Sequence, residues 1–165
     1  MDAAAGRVVA ISISREKGTP KQNVSMAVLV EDWGIEGDAH AGRWRRQVSL
    51  LPLESIESMR EKGLNLRPGA FGENITVQSV DVRGLRSGDR ILIGDAELEV
   101  TQVGKECRAK CAIYERVGDC IMPREGIFAT VRRGGKVTVG DPVEVVRRDG
   151  SGARVRRPCT GSKGS

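Results

Sequence analysis

The side chains best suited to covalent chemistry lie in one stretch, Gly104–Gly126, which reads GKECRAKCAIYERVGDCIMPREG. It holds Cys107, Cys111 and Cys120 at C-x3-C-x8-C spacing. Thiolates attack sulfur and bind soft metals, and a neighbouring cation raises the thiolate fraction. Lys105, Arg108 and Lys110 flank the first two cysteines. A cysteine between a strand and a short helix also gains from the helix N-terminus. Other roles stay open for these thiols. Cysteine is often a buried small hydrophobe, and a disulfide between Cys107 and Cys111 is conceivable but has no specific support. A structural zinc site wants four ligands in paired spacing, which C-x3-C-x8-C lacks, and the fourth cysteine, Cys159, stands apart near the C-terminus. Arg124, in MPREG, carries a guanidinium fork of the kind that grips phosphate or molybdate oxygens, though a surface ion pair would use it equally well.

Two further segments carry polar groups among glycines. Gly37–Gly42 (GDAHAG) contains Asp38 and the single histidine, His40, with Arg43, Arg45 and Arg46 close behind. Flanking glycines let backbone approach a ligand, while a lone loop histidine also serves as an ordinary hydrogen-bonded surface residue. Gly69–Thr76 (GAFGENIT) sets two glycines before Glu73 and Asn74. Neither GxGxxG nor GxxxxGK[ST] occurs, which argues against the common nucleotide-binding loops. No Ser-His-Asp arrangement stands out. A Cys107–His40 pair is formally available for nucleophilic work, with nothing in the spacing to favour it.

Short strands must position these groups. Val8–Ser14, Val24–Val30, Gln47–Leu51, Asn74–Val77, Arg90–Ile93, Glu97–Val103, Phe128–Arg132, Lys136–Val139 and Val143–Val146 read as strands from β-branched content and alternation. Turn signals such as Gly18-Thr19-Pro20, Ser87-Gly88-Asp89, Gly94-Asp95, Gly134-Gly135 and Gly140-Asp141 punctuate them. Leu53–Lys62 repeats apolar residues at helical spacing after Pro52, and Cys111–Val117 suits a second short helix. Gly37–Arg46 lacks periodicity and reads as a loop. Many short strands with few helices predict a mainly β fold, a closed or partly closed β-barrel with a few short helices.

Composition narrows the function. The chain of 165 residues suits a single domain that buries its own core without staples. Its net charge of +5 is concentrated beyond Val146, where six basic residues meet one acid, Asp149. Residues 1–146 carry 21 basic and 21 acidic side chains and are neutral overall. We therefore expect a domain over 1–147 and a basic, Gly/Ser/Arg-rich disordered tail over 148–165. Aromatics make up only 3% of the chain, too few for a stacking platform, and the neutral domain gives no basic face for nucleic acid. No apolar run approaches the ~20 residues of a spanning helix, and no export signal precedes the first strand, which predicts a cytoplasmic protein with reduced thiols.

Several separated motifs in fixed order resemble the MOSC family, the domain at the C-terminus of molybdenum cofactor sulfurases. They are GIEGDAHAG with RQVSLL, then FGENIT, then LRSGDRILIG, ELEVTQVGKEC, GDCIMPREGIFA and GGKVTVGDPVEV. The likeness spans about residues 7–146 and is nearest to the small single-domain bacterial members. It implies a mainly β barrel of the pyruvate-kinase-barrel-like kind and a role with the molybdenum cofactor or its sulfur. The resemblance assigns the working cysteine, a persulfide carrier or a molybdenum ligand, to Cys107; Cys111 and Cys120 match further cysteines of the subgroup. On this reading the anionic molybdopterin is held by Arg108, Lys110 and Arg124, with Asp38, His40, Glu73 and Asn74 as further cofactor-binding candidates. The chain carries no aminotransferase-like segment for pyridoxal phosphate. A separate cysteine desulfurase is therefore the expected sulfur donor, and the cofactor or a molybdoenzyme the expected acceptor.

Overall fold

The computed structural model describes residues 6–16, 21–61, 63, 67–69, 72–80, 84–104 and 126–147. In chain order the elements are β1 (Gly6–Ile13), β2 (Gln22–Val24), β3 (Met26–Val30), β4 (Gly34–Ile35), β5 (Val48–Pro52), α1 (Leu53–Arg60), β6 (Ile75–Gln78), β7 (Arg90–Ile93), β8 (Ala96–Val103), β9 (Ile127–Arg133), β10 (Gly135–Thr138) and β11 (Pro142–Val146). Seven strands close on themselves in the order β11, β7, β8, β9, β5, β6, β1, because β11 also pairs with β1 through Gly6↔Val143 and Arg7↔Pro142. This is the expected closed β-barrel. Closure removes the unpaired edges that an open sheet of this size would expose.

Alternation builds the interior. Val8, Ile11, Val48, Leu50, Ile75, Val77, Ile91, Ile93, Leu98, Val100, Ile127, Ala129 and Val131 form one aliphatic cluster. Every pairing in the ring is antiparallel except β5 with β6. A parallel pair needs a crossover connection, and α1 lies within it, burying Ile56 and Met59 beside β5 and β6. The helix is two residues shorter than the predicted Leu53–Lys62.

The expected single strand Val24–Val30 is divided at Ser25. β2 adds to the outside of β1, while β3 leaves the barrel sheet and pairs with β10 and β4. The sequence conceals this because apolar residues occupy both faces: Ala27 and Leu29 are buried, and Met26, Val28 and Val30 are exposed. Register, not composition, decides the break. β4, only two residues long, lies in the segment that reads as strand end and loop. The Cys111–Val117 helix and the 148–165 tail lie outside the described residues.

Candidate functional site

One register row crosses the outer wall of the barrel. Gln102 pairs with Phe128, Phe128 with Ser49, and Ser12 with Asn23. Asn74 stands between Ser49 and Ser12, one residue before the Leu50↔Ile75 and Ile11↔Ile75 partners. The neighbouring row, Ile127, Leu50, Ile75 and Ile11, faces the aliphatic interior. Because side chains alternate along each strand, the row one residue away faces outward. Ser12, Ser49 and Asn74 are nevertheless buried, since loops cover this part of the wall. Asn74 Nδ2 donates to the Ser12 carbonyl at 3.2 Å, and its Oδ1 accepts from the Ser49 backbone N–H at 3.0 Å. Asn74 also donates its own backbone N–H to Ser49 Oγ at 3.0 Å. Its side chain thus braces β5 against β1.

At the β1 end of this row lies a buried ion pair. Lys21 Nζ stands 3.0 Å from Asp38 Oδ1, with side-chain exposures of 2% and 0%. The ammonium has three donors and finds three partners: Asp38 Oδ1, Ser14 Oγ at 3.2 Å and His40 Nδ1 at 3.2 Å. Because an ammonium can only donate, His40 Nδ1 accepts from Lys21. The His40 side chain is 39% exposed. Asp38 Oδ1 also accepts from the Ser14 backbone N–H at 3.0 Å, and Oδ2 from that of His40 at 3.1 Å. Burial alone would raise the Asp38 pKa, but the hydrogen bonds from His40, Ser14 and Lys21, with the Lys21 charge, outweigh it. They hold the carboxyl well below the usual carboxylate range. A carboxylate that is removed from water must be paired in this way.

The second glycine segment closes over the same place. Gly69 has φ +95°, and a Cβ there would meet Ser12 Oγ at 2.9 Å and the Lys21 Cβ at 3.4 Å. Only glycine satisfies both the left-handed backbone and the close approach. Glu73 is fully buried, and its Oε2 accepts from the Gly69 N–H at 2.6 Å and from Thr76 Oγ1 at 3.2 Å. It therefore fixes the turn that covers Ser12. Asn23 Nδ2, at the outer end of the row, donates to Ser12 Oγ and to the Pro68 carbonyl.

The arginine-rich end of the first loop covers the opposite end of the row. The Arg46 guanidinium lies 5.3 Å from the Trp44 ring centroid and 5.6 Å from that of Phe128. Such stacking suits a planar, weakly hydrated cation. Trp44 Nε1 donates to the His40 carbonyl at 2.9 Å, and the Thr101 hydroxyl donates to the Arg45 carbonyl. Thr101 is the extra residue of a β8 bulge, where the register shifts between Val100 and Gln102. Arg46 Nε and Gln102 Oε1 are buried without a hydrogen-bond partner among the described residues. Two residues beyond Gln102, the Gly104 N–H donates to the Gly126 carbonyl at 2.7 Å, which fixes the two ends of the cysteine-bearing segment.

The sequence model of the MOSC domain matches residues 37–144, about two thirds of the chain. The chain belongs to the MOSC domain family. No functionally curated protein matches it. Among solved structures, the MOSC barrel is similar to the YuaD protein from Bacillus subtilis, at TM-score 0.70 and 22% identity, over 86% of this chain and 95% of that one. It is also similar to YiiM from Geobacillus stearothermophilus, at TM-score 0.65 and 22% identity, over 90% of this chain and 78% of that one. YiiM from Escherichia coli superposes at TM-score 0.58 and 22% identity, over 86% and 70% of the two chains. At these identities the likeness concerns the fold.

Within this MOSC domain, Asp38, His40, Glu73 and Asn74 come together on the wall around Ser12 and Ser14. Cys107, Arg108, Lys110, Cys111, Cys120 and Arg124 lie outside the described residues. No group of three His, Cys, Asp or Glu side chains that would hold a metal ion occurs among the described residues, and no helix there is long and apolar enough to cross a membrane. Sequence reasoning missed Lys21, Ser14 and Gln102. Lys21 follows a Gly-Thr-Pro turn and looks like one more surface lysine. Only its proximity to Asp38, 17 residues away, gives it a role. Arg46 had one available signal, its place between Trp44 and the start of a buried strand.

Proposed function

We propose that this MOSC protein carries sulfur for molybdenum cofactor metabolism as a persulfide on Cys107. The observation that supports it is that the root of the cysteine segment and the Lys21–Asp38–His40 cluster sit at opposite ends of one covered polar row. Cys107 follows Gly104 by three residues in the chain, and Arg124 precedes Gly126 by two.

In loading, the Cys107 thiolate attacks the sulfane sulfur of a donor persulfide on a separate cysteine desulfurase. The new S–S bond forms on Cys107 and the donor cysteine leaves as its thiolate. For release, a thiolate at Cys111 or Cys120 attacks Cys107 Sγ. The outer sulfur departs as sulfide, and its two electrons come from the two thiols, which end as a disulfide. Arg108, Lys110 and Arg124 raise the thiolate fraction of the segment and attract an anionic acceptor.

The residues present fit the cofactor. Arg46 Nε is a buried donor and Gln102 Oε1 a buried acceptor, and neither has a partner among the described residues. Buried polar atoms of this kind are satisfied in native proteins, and a polar, anionic ligand supplies the complementary groups. Arg46 and Gln102, with Arg108, Lys110, Arg124 and the partly exposed ring of His40, would hold molybdopterin. When bound, the cofactor supplies a soft metal that accepts sulfide or thiolate. The same orphaned pair favours a second reading, in which the protein is a binding module or oxidoreductase component with Cys107 as a molybdenum ligand.

Intact-mass spectrometry before and after incubation with a cysteine desulfurase and cysteine separates the readings. The carrier gains about 32 Da, one sulfur atom, mapped to Cys107 and absent from folded Cys107→Ser. Undiminished loading of Cys107→Ser overturns the assignment. Stoichiometric molybdenum without labile sulfur, in protein from a cofactor-producing host, favours the second reading.

A further inference from the structure

The small sheet formed by β10, β3 and β4 turns one face into the barrel side and the other to solvent. Ala27, Leu29, Ile35 and Val137 fill the inner face. The outer face of β3 presents Met26, Val28 and Val30, which are 37–43% exposed. Single exposed apolar residues are normal, but a contiguous strip of them along one strand marks a contact surface.

Charge identifies the occupant. Lys136 pairs with Val28 on one side, and on the other the Glu36 N–H donates to the Val28 carbonyl. One register row therefore runs Lys136, Val28, Glu36. Both charged residues are exposed, and neither has an ion pair among the described residues. A two-fold axis parallel to β3, lying in the contact plane, stacks Val28 on its own copy and exchanges left for right. It places each Lys136 over the partner copy's Glu36, giving two ion pairs around an apolar centre. An axis running across the strands sets Lys136 against Lys136 and is disfavoured. The row is thus complementary to itself in one orientation, as an isologous interface requires.

We infer that the outer face of β3 is a homodimer interface, with the partner copy's strip packed upon it about an axis parallel to the strand. The proposal rests on this face alone and does not depend on the sulfur-carrier reading. The patch is small, and the association is correspondingly concentration-dependent.

Sedimentation velocity on the full chain, from micromolar to near-millimolar concentration, tests it. The expected species has twice the 17.8 kDa mass of the chain. Lys136→Glu sets Glu against Glu, and Glu36→Lys sets Lys against Lys. Each is expected to weaken the dimer about tenfold or more, and the double exchange to restore it. Melting curves of the four proteins report that all are folded. A monomer at every concentration overturns the proposal, as does a dimer indifferent to both single reversals. A chain that dimerises only after residues 148–165 are removed overturns it too, and assigns the face to the chain's own C-terminal segment.

Discussion

Two adjacent rows of the same strands behave as different materials. Ile11, Ile75, Leu50 and Ile127 form a band of the barrel interior that is entirely aliphatic. One residue along each strand, Ser12, Asn74, Ser49 and Phe128 form a band on the outer wall that is equally buried but rich in hydrogen bonds. The interior band is held by area removed from water and is most tolerant of apolar side chains of similar volume. The outer band is held by partners, each of which costs free energy when left alone. A polar group under loops needs a partner, from the fold or from a ligand, and the Lys21–Asp38 pair is the extreme case of the first.

The largest expected effect breaks the outer band at that pair. Asp38→Asn leaves the Lys21 ammonium buried without its counter-ion and should cost about 3–5 kcal/mol in denaturant unfolding. Removing the stranded ammonium as well, in Lys21→Met with Asp38→Asn, should recover much of that loss, because an amide oxygen at 38 still accepts from the Ser14 N–H. In the interior band, Ile75→Ala should cost about 2–5 kcal/mol through lost burial and a residual cavity. Its remaining folded fraction should load sulfur as the parent does, because the outer wall is untouched.

A smaller effect separates bracing from packing. Asn74→Ala removes the link between Ser49 and Ser12 and should cost about 1–3 kcal/mol, mostly from the stranded groups. A cost equal to that of Ile75→Ala would erase the contrast between the rows. The smallest effect concerns pH. Asp38 has a folded pKa below its ordinary value of 3.8, so its contribution to stability is complete above about pH 4–5. It is lost as the pH falls through the unfolded value towards the folded one. Stability measured from pH 6 down to pH 2 should therefore decline, and Asp38→Asn should flatten that slope.

Much of the barrel was legible because strand signals are local. Short runs such as Arg90–Ile93 and Glu97–Val103, with Gly94-Asp95 between them, declare a hairpin through alternation and turn chemistry, and the second strand starts one residue earlier, at Ala96. The division of Val24–Val30 was not legible, because both faces of that run are apolar and only register assigns them. Of the candidate site, Asp38, His40, Glu73 and Asn74 stood out as polar groups among glycines, but their tasks did not. Asn74 and Glu73 spend their described hydrogen bonds on the fold, and Lys21 carried no signal at all.

The sequence by itself determined the fold class, the short strands with their turns, the neutrality of residues 1–146, and the reactive composition of Gly104–Gly126. Those properties follow from residues close together in the chain, where periodicity and charge can be read directly. Tertiary structure alone decided that Lys21 neutralises Asp38, that Gly69 seals Ser12, and that Gln102 and Asn23 end the same row. These relations join residues from five or six strands. They depend on which register minimises unpaired buried groups across the whole barrel, a choice that no single segment contains.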